Sequence, residues 1–287
     1  MSWAAHEFEN YFIQKHLGVK ASFIAIAAGT SLSDFFTKKW VYSAADPPQF
    51  HRGWPGVGFT HSFIFGAVFA LIALGIFRSR TWALGLLIGQ WAHVITDMCD
   101  TAGVMPFFPF STEPLTIGMW KHAAVVGRHG DAAAYYSSLG GVWDFLWFVI
   151  VVFFARNVLR ADYFRTVIVP ADERAWSAIG RWTRLSERGL LVLYRGYFIY
   201  GFARMVSWFL YARFDARTPL EAWWGSPSWV VANDLSSASA VEMVLRTAAG
   251  GVMFAAFWWL CWRLFVRRLW VRAGAPKGSL QPAVAAG

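Results

Sequence analysis

Histidine and aspartate side chains recur along the first hundred residues, at Asp34, His51, His61, His93 and Asp97. Imidazole nitrogens and carboxylate oxygens are the ligands that Zn²⁺ and related divalent ions prefer. A bound divalent ion activates water for hydrolysis, and two ions can hold both oxygens of an in-line displacement at phosphorus. Arg52, beside His51, is a natural ligand for phosphate oxygens. The residue types therefore predict a metal centre with one or two ions, Zn²⁺ first, with Mn²⁺ or Mg²⁺ as alternatives.

A predicted helical hairpin brings these residues together. His61 lies 17 residues before Arg78, and Asp97 lies 17 residues after Arg80. Because each apolar run is about 20 residues long, antiparallel membrane helices would return His61 and Asp97 to the same depth. The i,i+4 spacing puts His93 on the same helix face as Asp97. Ionisable groups at membrane depth are costly and by default indicate function.

A stripe of small residues extends the His93 and Asp97 face. Gly85 and Gly89 continue it towards the hairpin turn, four residues at a time. Such a stripe predicts that another helix approaches closely there.

The composition is typical of a membrane protein. Hydrophobic residues make up 57% of the 287 residues and charged residues 15%, and the mean hydropathy is +0.40. The net charge of +9 comes from arginines that flank apolar segments, which argues for membrane topology and against nucleic-acid binding. Cys99 and Cys261 form neither a disulfide framework nor a thiolate metal site. The predicted fold is all-α, a polytopic integral membrane bundle of about five to six transmembrane helices with an interfacial polar site.

Three regions are expected along the chain. Residues 1–158 form a membrane-embedded core, residues 159–272 an arginine-rich cytoplasmic segment with two further transmembrane helices, and residues 273–287 a disordered tail. Within the core, residues 1–34 are either one span or two half-length helices that return His6 to the level of Asp34. In both cases a helix ends at Asp34 and leads into an irregular loop, residues 35–59, whose Pro and Gly residues oppose regular helix.

Lysine and arginine are distributed unequally between the two faces of the predicted bundle. Nine lie on the face that contains the hairpin turn, and five lie in the two loops opposite. The positive-inside rule then predicts a multi-pass protein of the cytoplasmic membrane, with both termini cytoplasmic and the histidine-bearing face outside. The second outer loop also carries Asp100, His122 and His129; the roles of the two histidines and of His6 are left open.

The chain resembles the bacterial and archaeal membrane-bound metal-dependent hydrolases of the YdjM type. The resemblance covers roughly residues 20–110 and rests on four blocks: Ser33-Asp34, His51-Arg52-Gly53, Thr60-His61-Ser62, and H-x-x-x-D at His93 and Asp97 running on to Gly103-Val104. It implies a membrane-embedded hydrolase that is distantly related to zinc phospholipase C and nuclease folds.

The chain departs from that pattern at three places. Phe36 stands where a second carboxylate is expected, Ser33 replaces the usual proline, and residues 54–59 widen the gap between two blocks. Asp100 is hypothesised to replace the lost carboxylate.

The leading prediction is a metal-dependent hydrolase that cleaves a phosphoester of a lipid or lipid-linked substrate at the membrane surface, with membrane lipids as its surroundings. Asp97, Asp100 and Arg52 are its expected catalytic residues, and Asp34, His51, His61, His93 and Asp97 its expected metal ligands. Two alternatives stay open at this point. One is a transporter or structural membrane protein whose polar cluster binds an ion without chemistry, and the other is a haem b protein with His61 and His93 as axial ligands.

Overall fold

The computed structural model describes residues 5–16, 22–40, 60–99, 103–111, 113–119, 139–214, 252, 256 and 259–268. Within these residues every regular element is a helix, and the one extended pairing is an isolated bridge between Val104 and Leu115. The predicted all-α fold is therefore confirmed.

Seven helices carry the argument that follows. They are α1 (Ala5–His16), α2 (Phe23–Trp40), α3 (Phe63–Phe77), α4 (Arg80–Asp97), α5 (Leu139–Val158), α6 (Glu173–Thr183) and α7 (Glu187–Phe214). A helical segment between α5 and α6 includes the π-helical turn Phe164–Ile168, and another π-helical turn spans Trp262–Val266.

Helices α3 and α4 form the predicted hairpin. Arg78 ends α3 in the left-handed conformation (φ 50°), with its N–H bonded to the Leu74 carbonyl. Ser79 begins α4, because its hydroxyl accepts the N–H of Trp82 at 3.3 Å. The outward faces are apolar, with Leu71 and Ile95 both exposed. Capping on both sides of a two-residue connection thus sets the antiparallel return.

Helix α2 packs against the glycine face of α4. A Cβ built on Gly89 would lie 2.3 Å from the Ile26 carbonyl oxygen, and one on Gly85 would lie 2.9 Å from the Ala25 Cβ. Gly29 on α2 is equally close to α4, because its Cβ would meet the Leu86 carbonyl oxygen at 2.5 Å. The two helices run in the same direction in near-backbone contact, as the glycine stripe predicts.

The N-terminal region consists of two helices, which decides between the alternatives for residues 1–34. Helix α1 packs on α2, where the Thr30 hydroxyl donates to Asn10 Oδ1 at 3.2 Å. His6 lies 3.5 Å from Asp97, so α1 begins at the end of the bundle that holds the site. The prediction that the N-terminus lies on the cytoplasmic side while the site faces outside is therefore wrong, because the two lie at the same end.

The end of the second helix also differs from the prediction. The sequence predicts that this helix ends at Asp34, but α2 continues to Trp40. Aspartate inside a helix has a modest propensity cost, and packing elsewhere along the helix readily overrides it.

An aromatic core joins α1, α2, α5 and α7. Its buried members include Phe8, Tyr11, Phe23, Val151, Phe164, Tyr194 and Phe198. The start of α7 also anchors the end of α5, because the Tyr194 hydroxyl donates to the Val158 carbonyl and Arg195 Nε to the Leu159 carbonyl, both at 2.9 Å. Arg195 thus has a partner on a neighbouring helix. The side chain of Arg204 lies outside the described part of the chain.

Asp172 connects the arginine-rich segment to the start of α2. Its Oδ2 accepts the N–H of Ile24 at 3.0 Å, which satisfies a donor that the helix leaves unpaired. Burial raises the pKa of Asp172 above its ordinary value of 3.8, although hydrogen bonds from Ser22 and from the amides of Ile24 and Phe23 act in the opposite direction.

One helix in the described part of the chain, Leu139–Val158, is both long and apolar enough to cross a membrane. The stretches Phe23–Ser33 and Phe63–Phe77 are apolar but shorter. Helix α5 lies in the predicted membrane-embedded core, and α7 lies in the region where the sequence predicts two further transmembrane helices. The helical class is thus established, while the predicted number of crossings stays a prediction.

Candidate metal centre

His61 lies in the turn that opens α3, and this turn is held on both sides. The Ser62 hydroxyl caps α3 by accepting the Phe65 N–H at 3.2 Å. The Gln90 amide, from α4, donates to the carbonyls of Thr60 and Ser62 at 3.1 Å each. These bonds fix the peptide that carries His61 relative to α4.

His93 and Asp97 meet His61 from α4. His93 Nε2 lies 3.3 Å from Asp97 Oδ2, His61 Nε2 lies 3.5 Å from the same oxygen, and the two Nε2 atoms are 3.3 Å apart. All three residues are fully buried. The equal-depth argument from the hairpin is confirmed at atomic contact distance.

His6 joins this group from α1. Its Nε2 lies 3.5 Å from Asp97 Oδ1, and its ring stacks on that of His93 with the centroids 4.0 Å apart. One ligand atom each from His6, His93 and Asp97 lies within 4.8 Å of the others. Four residues from three separate chain segments therefore converge on one point.

Outer partners orient two of the imidazoles. Glu9 Oε2 lies 3.4 Å from His6 Nδ1, and the Thr96 hydroxyl donates to Glu9 Oε1 at 2.5 Å. The Thr60 hydroxyl lies 3.2 Å from His61 Nδ1. Both rings thus direct Nε2 inward and Nδ1 outward. Metal-binding histidines usually have such a partner on the nitrogen that faces away from the ion.

The spacing of the inward atoms fits a divalent ion. In a tetrahedral site with ligand distances of about 2.0–2.1 Å, neighbouring ligand atoms lie roughly 3.3–3.4 Å apart. The triangle of His61 Nε2, His93 Nε2 and Asp97 Oδ2 has edges of 3.3, 3.3 and 3.5 Å. A buried carboxylate is unfavourable without a compensating charge. The three described donor atoms thus form one face of a site with the dimensions of a divalent-ion site.

The expected site residues divide into two groups. His61, His93 and Asp97 come together. Asp34 lies on α2, but its side chain is outside the described part of the structure. Five further expected or open residues lie wholly outside it: His51, Arg52, Asp100, His122 and His129.

Sequence reasoning left His6 open and missed Glu9, Thr60, Gln90 and Thr96 as supporting residues. The available signal was the i,i+3 spacing of His6 and Glu9 on an amphipathic segment.

Comparison with known proteins agrees with the membrane assignment. Neither a curated protein nor a solved structure gave a match. A family model described as YdjM inner membrane protein matches residues 4–163, which is more than half of the chain and includes every residue of the centre. The chain therefore belongs to the YdjM inner membrane protein family.

Proposed function

We propose that this protein is a membrane-bound, metal-dependent hydrolase that cleaves a phosphoester of a lipid or lipid-linked substrate. The observation that carries the proposal is the buried triangle of His61, His93 and Asp97, whose edges match those of a zinc site. A divalent ion held by such ligands activates water for hydrolysis near neutral pH. Zn²⁺ suits the donor set best, with Mn²⁺ or Mg²⁺ as alternatives.

The residues of the chain have separate parts in this proposal. His61, His93 and Asp97 hold the ion, while Thr60 and Gln90 fix the orientation and position of His61. Asp34 and His51 are proposed as further ligands, Arg52 as the group that binds phosphate oxygens, and Asp100 as a further acid.

A lipid substrate is supported by the surface next to the site. The Pro106 carbonyl accepts the N–H of Phe63 at 2.9 Å, directly after the turn that contains His61. The same loop exposes Phe107 (54%) and Phe110 (86%). Exposed phenylalanine side chains beside a helix end can insert at the membrane–water boundary. A substrate embedded in the membrane would thus approach the centre along an apolar edge.

Membrane orientation is part of the proposal. The arginines of residues 156–188 belong to the end of the bundle opposite the site, together with Arg78 and Arg80. The positive-inside rule then places the site, and with it the beginning of α1, on the outer side of the cytoplasmic membrane.

The geometry of the histidine pair does not suit haem b. Axial histidines stand on opposite sides of a porphyrin, with the iron between them. Here the two Nε2 atoms are 3.3 Å apart, and both lie against Asp97 Oδ2 on the same side. No porphyrin plane fits between two nitrogens arranged in this way.

Elemental analysis of detergent-purified protein tests the metal claim. Wild type is compared with a His93→Ala/Asp97→Ala variant and with His16→Ala as the matched control, since His16 is an exposed histidine at the far end of α1. We expect at least one equivalent of zinc or manganese in wild type and in the control, and none in the double variant.

A phosphoester panel tests the reaction. Wild type and the control should release phosphate or headgroup from lipid phosphoesters, and the double variant should not. Stoichiometric metal without turnover of any phosphoester would instead support the ion-binding transporter or structural alternative, and folded wild type without metal would refute the proposal.

A further inference from the structure

The two oxygens of Asp97 face different histidines. Oδ2 lies 3.3 Å from His93 Nε2 and 3.5 Å from His61 Nε2. Oδ1 lies 3.5 Å from His6 Nε2, on the side of α1. A carboxylate that uses one oxygen for each of two ligand sets has the arrangement of a bridging ligand.

The protonation pattern of His6 indicates what lies between it and Asp97. An ionised carboxylate only accepts hydrogen bonds, so Glu9 Oε2 beside Nδ1 favours the His6 tautomer with its proton on Nδ1. The Thr96 hydroxyl lies 2.5 Å from the other oxygen of Glu9 and 2.6 Å from the Ala92 carbonyl, so its one proton is shared between these two oxygens and Glu9 is held against the helix of Asp97. His6 Nε2 then directs a lone pair at Asp97 Oδ1, which is itself an acceptor. Two acceptors that face each other inside a buried cluster are stabilised by a positive charge between them, either a proton or a metal ion, and a metal ion also suits the position of Asp97 between two sets of histidines.

We propose that Asp97 bridges two divalent cations, with His61 and His93 holding one at Oδ2 and His6 holding the second at Oδ1. Glu9 is the positioning residue of the second site, because it fixes the tautomer of His6 and is itself held by Thr96 on the helix of Asp97. The inference rests on the proposed metal site and deepens it. A pair of ions suits a phosphoester, since two ions hold both oxygens of an in-line displacement at phosphorus.

Helix α1 offers a matched pair of glutamates for the test. Glu9 faces His6, whereas Glu7 lies against Gly201 on α7: a Cβ on that glycine would lie 2.7 Å from the Glu7 Cβ. Both glutamates are buried, and both can be changed to glutamine. Glu9→Gln and Glu7→Gln are therefore the same substitution on two different faces of α1.

The experiment measures zinc stoichiometry and affinity in full-length protein in detergent. Metal-free protein is titrated with ZnCl₂ and analysed by elemental analysis after gel filtration, for wild type, His6→Ala, Glu9→Gln and Glu7→Gln. We expect two equivalents in wild type and Glu7→Gln, and one in His6→Ala. Glu9→Gln should retain the first ion and bind the second about 10–100-fold more weakly, which is the usual effect of losing an outer carboxylate partner.

A second measurement does not depend on stoichiometry. Two Mn²⁺ ions bridged by one carboxylate are magnetically coupled, so wild type loaded with Mn²⁺ should show a coupled EPR signal, and His6→Ala the six-line signal of an isolated ion. Gel filtration checks that His6→Ala remains folded, and Glu9→Gln provides the result if it does not.

The outcomes separate this inference from the proposed function. If wild type and His6→Ala both bind one ion, the proposed second cation site does not exist, but the proposed hydrolase function is not contradicted. If wild type binds one ion and His6→Ala binds none, the second cation site is also refuted, because His6 would then be a ligand of a single ion. No ion in folded wild type refutes both.

Discussion

Replacing Gly89 with alanine tests the close contact that positions the metal centre. The new Cβ would lie 2.3 Å from the Ile26 carbonyl oxygen and 3.1 Å from Ile26 Cα. Both are backbone atoms, so no side chain can rotate away. Ordinary contact distances require α2 and α4 to separate by about 1 Å. Overpacking of this kind destabilises a protein by about 1–3 kcal/mol.

The displacement also reaches the site. Gly89 lies one turn before His93 and two turns before Asp97 on α4. His61 and His6 belong to other segments, so moving α4 changes the distances of 3.3–3.5 Å that define the centre. A misplacement near 1 Å can reduce function about 100-fold. We therefore expect weaker metal binding together with lower stability.

The assay compares Gly89→Ala with Gly75→Ala in urea unfolding and zinc titration, both in detergent. A Cβ on Gly75 meets no atom within 4 Å, so its replacement relieves a poor helix former and should raise stability by up to about 1 kcal/mol. Wild-type stability and wild-type zinc affinity in Gly89→Ala would refute the packing argument, because the clash would then not exist.

Three further predictions concern a support of the site, a buried aspartate at the start of α2, and the bound ions. Gln90→Leu leaves the buried carbonyls of Thr60 and Ser62 without their donor, so the urea midpoint should fall by an amount equivalent to about 1–3 kcal/mol. Burial raises the pKa of the Asp172 carboxyl group, so the folded protein binds the proton of this group more tightly than the unfolded chain does. Wild-type stability should therefore fall as the pH rises from 3.8 through the raised pKa. Asp172→Asn should remove that part of the pH dependence in thermal unfolding at several pH values. Chelation with EDTA should lower the melting temperature of wild type but not of His93→Ala/Asp97→Ala, because the ions bind only the folded state.

The hairpin and its ligands were predictable because they depend on counting and periodicity. Equal counts of 17 residues, from His61 to Arg78 and from Arg80 to Asp97, brought His61 level with Asp97, and the i,i+4 spacing placed His93 beside it. The glycine face of α4 likewise indicated a close helix partner. These features depend on backbone geometry, which a sequence specifies locally.

The contribution of α1 was predictable only as one of two alternatives, because it depends on a long-range contact. His6, Glu9 and Asn10 are polar, and their segment is too short and too charged to be identified as a membrane helix. Only packing against α2, α4 and α7 buries them. The extension of α2 to Trp40 was missed for the opposite reason, since local propensity at Asp34 indicated an end that the rest of the helix overrides.

Burial of polar groups on α1 connects the fold to the proposed centre. Glu9 and Asp97 are both buried, among three imidazoles and a threonine hydroxyl. Bringing two carboxylates out of water is unfavourable unless opposite charge accompanies them. Divalent cations at the proposed positions would provide that charge at the interface between α1 and α4. The ions would then stabilise the docking of α1 as well as supply chemistry, and in metal-depleted protein α1 should be the first helix to lose protection from hydrogen exchange.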